Sequence, residues 1–443
     1  MLFESTETET PSSRPIFPPG PVIQVPRIAY LAPEIPALSA TFVYDELLGL
    51  VRRGIVVKSI SVRRPSHPAE SQRDLLRATE VLYPRPPIVL AFVGVLSALR
   101  LRPGLGRALG SLVSDMAAIG FHRLSAWKLV FQLLAGARLA RILLRDGCTH
   151  LHVHFAHTPA QIAMYASAFS GIPFTITAHA NDIFQRGLLL TRKAGRSVKM
   201  LTISDFNREF LLSLGIPPDK LAVVRCGVPF RRRSETARRD AGAVFRIGTL
   251  GRLVEKKGVD DLLRAIATLR NDATPPRVVV VVVGEGPQRE ALGRLSRELG
   301  LDDCVEFAGA MEHGEVVGWL RSLDAFVLAC KKDAHGDMDG IPVALMEAMS
   351  QEIPVVSTRL SGIPELVVHE RTGLLASPAD PSDLARQIHR LASDPVLRAS
   401  LAVAGAEHVR TEFGQDLNLD RLLSHICPTF EMQAASSALP SAS

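Results

Sequence analysis

Short apolar runs alternate with amphipathic stretches along most of the 443-residue chain, and this alternation predicts a parallel sheet whose strands are connected by helices. In the first half, strands are predicted near residues 27–31, 56–62, 149–155, 174–178, 198–203 and 221–225. In the second half they are predicted near 244–250, 277–283, 304–307, 325–329 and 354–357. Helices are predicted between the strands, as at 42–53 and 259–270.

The same pattern divides the chain into two α/β domains with flanking segments. Residues 27–228 form the first predicted domain, with a long and mostly helical insertion at 66–146, and residues 244–410 form the second. An arginine-rich linker at 229–243 separates them, and a helix at 411–431 is expected to cross back onto the first domain. The polar segments 1–26 and 432–443 are predicted to be disordered.

Charge is distributed unevenly between the two halves. Residues 1–240 carry 31 basic and 17 acidic side chains, a net charge of +14, and the remaining 20 basic and 28 acidic side chains leave the rest at −8. A basic first half suits contact with an anionic membrane or a lipid-phosphate acceptor, although solvated arginine-rich surfaces explain it equally simply. Nucleic acid is not an expected partner, because only 5% of residues are aromatic and no binding motif is present.

Three features bear on where the protein works. The five cysteines have no paired spacing, which is typical of reduced thiols, and the first residues are acidic and polar, so we expect a cytoplasmic protein without a signal peptide. The longest apolar run, 88–99, is shorter than the roughly 20 residues that span a bilayer. It is expected to be either a buried helix or a helix in the membrane interface, which would make the protein peripheral at the inner face of the membrane.

The segment 336–349 carries the most informative chemistry. Asp339 precedes Gly340, Ile341 and Pro342, and an apolar helix containing Glu347 follows, with Pro342 expected at its first position. The unpaired amides of the first helical turn, which include Val343, favour a bound phosphate group. Glu347 then suits the hydroxyls of a ribose, and Asp339 suits a group attached to the far phosphate.

Two loops after predicted strands fit the same ligand. Arg252 and Lys257 flank the turn that follows the strand at 244–250, where two cations can stabilise a diphosphate leaving group. Of the adjacent lysines Lys256 and Lys257, we assign this role to Lys257, which precedes a glycine. Gly284 ends the valine-rich strand and allows the backbone to approach a ligand closely, although the full dinucleotide fingerprint would need another glycine at Arg289.

Together these motifs, with 361–365 (Ser-Gly-Ile-Pro-Glu), resemble those of the retaining glycosyltransferases of family four, and most closely their bacterial exopolysaccharide branch, typified by colanic acid biosynthesis enzymes. The resemblance implies the GT-B architecture, two Rossmann-like domains facing each other across a cleft. It implies transfer of a sugar from a nucleotide-diphosphate sugar to a hydroxyl of a glycan or lipid-linked saccharide, with no metal and no other cofactor. It also implies that Arg252, Lys257 and Glu347 bind the donor, with Gly284, Gly340, Ile341 and Val343 lining its site, while Asp339 contacts the transferred sugar.

The resemblance also names first-domain residues. His179, which follows a predicted strand, corresponds to the active-site histidine of the family, although a buried core histidine is the simpler alternative. Ser39 and Thr41 lie in the loop after the first strand, where the family binds the acceptor. Asp339 departs from the family pattern, which usually has glutamate there. A catalytically weak or inactive nucleotide-sugar-binding protein therefore stays an alternative, whereas a dehydrogenase is disfavoured because the first loop, 32–36, has no glycine.

Three further histidines alternate along one predicted strand. His150, His152 and His154 share a face of the strand, and His157 follows. A metal site is one interpretation, but the neighbouring sequence supplies no cysteine or carboxylate to complete it. We expect imidazoles that line a pocket and no bound metal.

Overall fold

The computed structural model describes residues 26–36, 41–65, 73–83, 86–229, 244–272 and 276–427. The expectations for 1–25, for nearly all of the linker, for the tail and for Ser39 lie outside these residues. Thr41 begins the first helix, but its side chain is not among those described.

The first domain is a parallel sheet of seven strands in the order β3-β2-β1-β4-β5-β6-β7. Its strands are β1 (Arg27–Ala32), β2 (Val56–Ser61), β3 (Glu80–Val81), β4 (His150–His154), β5 (Phe174–Ala178), β6 (Met200–Thr202) and β7 (Leu221–Val223). Its helices are α1 (Thr41–Arg52), α2 (Arg73–Ala78), α3 (Pro87–Arg100), α4 (Arg102–Ile119), α5 (Leu124–Arg145), α6 (Thr158–Ser170), α7 (Ala180–Phe184), α8 (Leu190–Arg196) and α9 (Asp205–Ser213). The six predicted strands are confirmed, and the two-residue β3 was missed because it is too short to show a pattern.

The second domain is a parallel sheet of six strands in the order β10-β9-β8-β11-β12-β13. Its strands are β8 (Phe245–Leu250), β9 (Val278–Val283), β10 (Val305–Gly309), β11 (Ala325–Val327), β12 (Val355–Thr358) and β13 (Leu374–Ala376). Its helices are α10 (Val259–Arg270), α11 (Arg289–Glu298), α12 (His313–Leu320), α13 (Val343–Ser350), α14 (Ile363–Leu366), α15 (Pro381–Ser393) and α16 (Pro395–Glu412). The two parallel α/β sheets confirm the predicted fold class.

Strand order reverses once in each sheet, between β1 and β4 in the first and between β8 and β11 in the second. Loops that leave the carboxyl ends of such neighbouring strands diverge to opposite faces of the sheet, and the crevice between them is where open α/β sheets bind ligands. The motifs of the second domain follow β8, β9 and β11. His154 ends β4, and α1 follows β1.

The last helix, α17 (Gln415–Ile426), returns to the first domain. Leu419, Leu422 and Leu423 belong to one apolar cluster with residues of β1 and α1. Arg53, which directly follows α1, forms ion pairs with Asp416 and Asp420 of α17. The chain therefore crosses between the domains a second time, which ties their relative position to this helix as well as to the linker.

The described part of the insertion consists largely of α3, α4 and α5, and α3 packs on α5 through Gly94, where an added Cβ would lie 2.6 Å from Leu134 Cβ. Within the described residues no single helix has the length and hydropathy to span a bilayer. Taken together, α3 and α4 are long and apolar enough, but they meet at a bend of 119°. One face of the apolar run is buried, with Leu90 and Ser97 at 0% exposure, whereas the opposite face is exposed. Ile88 and Phe92 are 74% and 71% exposed, respectively.

Candidate active site

The loops after β8 and β9 approach each other so closely that glycine is required between them. Gly284 has a φ of +135°, and a Cβ built there would lie 1.9 Å from the carbonyl oxygen of Gly251. Gly258, which follows Lys257, has a φ of +63° and would place a Cβ 1.8 Å from the carbonyl oxygen of Ala329. These contacts hold the lysine loop against the end of β11.

Asp339 lies at the centre of a small ionic cluster. Its carboxylate is 2.6 Å from Lys257 Nζ and 3.3 Å from Lys256 Nζ. Lys256 also bonds to Asp337 at 3.0 Å, and the Cys330 thiol lies 3.5 Å from Asp339. The structure thus brings together the two candidates Asp339 and Lys257, and it adds Lys256 and Asp337, to which the sequence assigned no role.

The cluster sets the charge of both central groups. Burial by itself would raise the pKa of Asp339, but the charges of Lys257 and Lys256 outweigh burial and lower that pKa. Burial would likewise lower the pKa of Lys257, but the Asp339 carboxylate outweighs it and raises that pKa. Each group therefore stays ionised because the other one is present.

Helix α13 begins one residue later than predicted. Pro342 is its N-cap, with φ −66° and ψ 125°, and Val343 is the first helical residue. The extended ψ of Pro342 places its carbonyl to accept from the Leu345 N–H at 3.1 Å, which starts the helix. No side chain caps this end of the helix, so its first amides suit an anion, and Glu347 lies about one turn further on and is partly exposed.

Arg252 lies on the rim of the same crevice. Its side chain is exposed, and it makes no hydrogen bond or ion pair with another described residue. Lys257, in contrast, has only 17% of its side chain exposed. The two cations assigned to the diphosphate therefore differ, one being at the rim and one buried in the ionic cluster.

His179 faces the crevice of the first domain. It directly follows β5 and is 7% exposed, with the rings of Phe155 and Phe42 centred 4.7 and 4.8 Å from its own. Burial, and then the charges of His154 and His157, hold the pKa of His179 well below its usual value. The imidazole is thus neutral, so it can bind a hydroxyl group but adds no charge.

A buried polar chain continues from His179. Its Nε2 is 3.4 Å from Nδ1 of His154, and Nε2 of His154 is 2.9 Å from Oε1 of Glu46. The Tyr30 hydroxyl donates to the same Glu46 oxygen at 2.7 Å. Glu46 was not among the candidates predicted from the sequence. Its position, three residues after Val43 and four before Leu50, places a carboxylate on the apolar face of an amphipathic helix, and this pattern could have identified it.

Glu46, His152 and His154 are the one group in the described residues with the spacing of metal ligands. The expectation that no carboxylate completes the histidine set was therefore wrong, because α1 carries Glu46 to the strand. The facing atoms nevertheless have protein partners, since His152 lies between the hydroxyls of Thr175 and Thr177, at 2.8 and 3.1 Å.

The two candidate catalytic residues face each other across the domains. A Cβ built on Gly340, next to Asp339, would lie 3.5 Å from the Cβ of Ala180, next to His179, and 2.9 Å from Ile203. Glu365 adds a direct link, because its carboxylate accepts from the amides of 205 and 206 at the start of α9, at 3.0 and 2.9 Å. The cleft therefore lies between Asp339 on one side and His179 on the other.

Two family models match this chain. "Glycosyl transferases group 1" matches residues 244–394, and "Glycosyltransferase Family 4" matches residues 116–232, so together they cover more than half of the chain. The chain belongs to the family-four glycosyltransferases. The matched regions include the ionic cluster in the second domain and His179 in the first.

Curated relatives and solved structures agree with this assignment. A putative colanic acid biosynthesis glycosyltransferase (WcaL) of Salmonella typhimurium is 29% identical over 434 residues, covering 91% of this chain and 100% of its own. The amylovoran biosynthesis glycosyltransferase AmsK of Erwinia amylovora is 32% identical, covering 54% of this chain and 60% of its own. Anabaena Alr3699/HepE in complex with UDP matches the fold with a TM-score of 0.67 at 16% identity, over 92% of this chain and 100% of its own.

Proposed function

We propose that this glycosyltransferase is a retaining, metal-independent enzyme. In this proposal it transfers a sugar from a nucleotide-diphosphate sugar to a hydroxyl of a glycan or lipid-linked saccharide in exopolysaccharide biosynthesis. The observation that carries the proposal is the 2.6 Å pair between Lys257 and Asp339, in the loop that leads into the uncapped end of α13. The polysaccharide context is supported by the relatives, which include a putative colanic acid and an amylovoran biosynthesis glycosyltransferase.

Donor binding exchanges the partners of this ion pair. The diphosphate accepts hydrogen bonds from Lys257 and from the first amides of α13, while Arg252 approaches from the rim. Asp339, released from Lys257, then accepts hydrogen bonds from hydroxyls of the sugar, and Glu347 binds the ribose. Because lysine, arginine and helix amides supply the positive charge that a bound metal ion would otherwise supply, the leaving diphosphate is stabilised without one.

The acceptor hydroxyl attacks from the face that the diphosphate leaves, which retains the configuration at the anomeric carbon. The bond from that carbon to the diphosphate oxygen breaks as the bond to the acceptor oxygen forms, and the acceptor proton passes to an oxygen of the leaving phosphate. Asp339 acts as a positioning group for the sugar. Once it is released from Lys257, its carboxylate accepts hydrogen bonds from the sugar hydroxyls, and these bonds orient the anomeric carbon for the acceptor.

A screen of nucleotide sugars tests this proposal. Thermal unfolding with each donor identifies the one that binds, since a ligand at a hundred times its Kd stabilises the fold by about 2.7 kcal/mol. Transfer from that donor, in buffer with a chelator, should continue at an unchanged rate, and NMR of the product should show the anomeric configuration of the donor. Binding without any turnover would favour the inactive sugar-nucleotide-binding alternative, and inversion would exclude the mechanism.

The exposed face of the insertion suits a membrane that holds the acceptor. Ile88, Phe92, Val95 and Leu99 repeat at spacings of four and three residues along α3 and are all exposed. The nearby exposed apolar residues are Leu109, Val113, Phe121, Leu124 and Trp127, and the exposed cations include Arg100, Arg102, Arg123 and Lys128. Apolar and basic groups on one surface fit an anionic bilayer, which would make the enzyme peripheral to the membrane.

Vesicle binding tests this surface. The double change Ile88→Ser and Phe92→Ser should lower binding to phosphatidylglycerol vesicles by at least tenfold, because both side chains lose their apolar contact. The control changes Val396→Ser and Val403→Ser alter equally exposed apolar residues on α16 and should leave binding unchanged. Equal binding to vesicles of neutral phosphatidylcholine would contradict the electrostatic part of this proposal.

A further inference from the structure

Glu46 is a partly buried carboxylate, with 18% of its side chain exposed, that the proposed chemistry does not yet use. It lies on the inner face of α1, and its Oε1 accepts from the hydroxyl of Tyr30 and faces Nε2 of His154. His154 in turn faces His179, so the three side chains form a continuous hydrogen-bonded chain from the core of the first domain to the cleft. No described acidic residue other than Glu46 is paired with His154.

The direction of this chain follows from the donors and acceptors. An ionised carboxylate can only accept, so Nε2 of His154 must carry its proton. When the imidazole of His154 carries a single proton and that proton is on Nε2, Nδ1 is bare and can accept from Nε2–H of His179. His179, kept neutral by burial, is then left with Nδ1 as its only acceptor nitrogen.

We propose that Glu46 is a positioning residue that acts through His154 to fix the tautomer and orientation of His179. Since His179 contacts a hydroxyl of the transferred sugar only under the proposed function, this inference rests on that function. Glu46 thereby holds the imidazole of His179 in one of its two tautomers. A sugar hydroxyl in the cleft then meets a ring whose donor and acceptor positions are fixed.

The packing around His179 supports a role for the chain beyond stability. Phe42 and Phe155 flank the ring and offer no hydrogen bond. Its polar neighbours are Nδ1 of His154 and the backbone amide of Asp182, with which His179 forms a capping box at the start of α7. The groups that face His154 are Glu46 from α1, His179 after β5, and the rings of Tyr30 and His152. Of these, Glu46 is the carboxylate, and its Oε1 lies 2.9 Å from Nε2 of His154, so it offers that nitrogen an acceptor oxygen.

Two changes at Glu46 test the inference. Glu46→Gln offers His154 either a carbonyl oxygen or an amide N–H, so both tautomers become allowed and kcat should fall about tenfold. Glu46→Leu removes the partner and should lower kcat by about 10², the range of a lost catalytic hydrogen-bonding group. Glu80→Gln, at an ion-paired carboxylate on β3 of the same sheet, is the matched control and should leave kcat unchanged.

The ¹⁵N NMR shifts of the histidine rings give a readout independent of turnover. In the unaltered protein Nε2 of His179 should be protonated, and in Glu46→Gln the two nitrogens should move toward intermediate shifts. Affinity for the nucleoside diphosphate should not change, and the double variant Glu46→Gln with His154→Gln should lose no more activity than His154→Gln alone.

An unchanged tautomer in both Glu46 variants would overturn the inference, and so would a changed tautomer with unchanged kcat. If the unaltered protein transfers no sugar from any donor, the proposed function fails. The NMR comparison would then still decide whether Glu46 controls the ring of His179.

Discussion

The two crevices that face each other in this enzyme have opposite electrostatics, although each lies where the strand order of its sheet reverses. In the second domain the loops after β8 and β11 bring two lysines onto Asp339, and every central group is charged. In the first domain β4, β5 and α1 bring together imidazoles, two phenylalanines and one carboxylate. Under the proposed function, the charged side would bind the leaving diphosphate and the other side would orient hydroxyl groups.

Among the changes proposed here, we expect a change at Asp339 to have the largest effect on the rate of sugar transfer. Asp339→Asn removes the charged sugar contact and should lower transfer by about 10³. Affinity for the free nucleoside diphosphate should stay the same or rise, because Lys257 loses the carboxylate that competes for it. Calorimetric titration and turnover measure the two effects separately, and Asp337→Asn, which alters a carboxylate paired only with Lys256 among the lysines, is the control. Lost diphosphate binding in Asp339→Asn would reverse the assignment.

The two lysines of the ionic cluster should differ. Lys257→Ala should lower kcat by about 10², because it leaves Asp339 without its shortest contact and removes a cation from the diphosphate. Lys256→Ala should lower it by less than tenfold, since Lys256 lies 3.3 Å from Asp339 and also bonds to Asp337. Comparable losses in steady-state turnover would mean that the assignment of the diphosphate to Lys257 alone is wrong.

We expect a smaller effect from a change at Glu347, the residue assigned to the ribose in the second domain. Glu347→Gln should raise KM for the donor and Kd for the nucleoside diphosphate by about tenfold, equal to about 1.4 kcal/mol, through weaker ribose hydrogen bonds. The rate at saturating donor should change little, because the ribose is bound similarly before and during transfer. A fall in kcat with an unchanged KM would place Glu347 at the reacting sugar instead.

The buried histidines of the first domain should make the free energy of unfolding depend on pH. Burial lowers the pKa of both His150 and His157 to about 4 from a usual value of 6.5. Between these values the unfolded chain binds more protons than the folded one, so the free energy of unfolding rises with pH across this window, by up to about 1.4 kcal/mol per unit and per group. Denaturant unfolding from pH 4 to 7 measures the slope.

His150→Gln tests one contribution and should have the smallest effect on activity. The slope of the free energy of unfolding against pH should decrease, while kcat should change by less than about twofold. His150 lies at the start of β4, away from the cleft, and bonds to Thr175 of β5. A large loss of turnover would mean that the whole histidine row, and not only its end at His154, belongs to the site.

Local patterns were enough to predict most strands, the α/β class and the donor loops. Apolar runs and alternating helices are local properties, and the glycines at 258 and 284 lie where the backbone approaches another loop so closely that only glycine fits. Asp339 and Glu347 were selected as candidates from their spacing around a helix start, and Lys257 from its position before a glycine in the loop after β8. The predicted start of that helix was wrong by one residue, because a proline fits both the N-cap and the first turn.

What the tertiary structure alone decided are contacts between segments far apart in sequence. Sequence spacing places Lys256 and Lys257 in one loop and Asp339 in another, but only the packing of Gly258 against Ala329 brings all three together. In the same way the histidine strand carries no carboxylate of its own, and Glu46 reaches it because α1 crosses the sheet next to β4. Charge, burial and proton positions depend on such distances through space, and a linear pattern does not contain them.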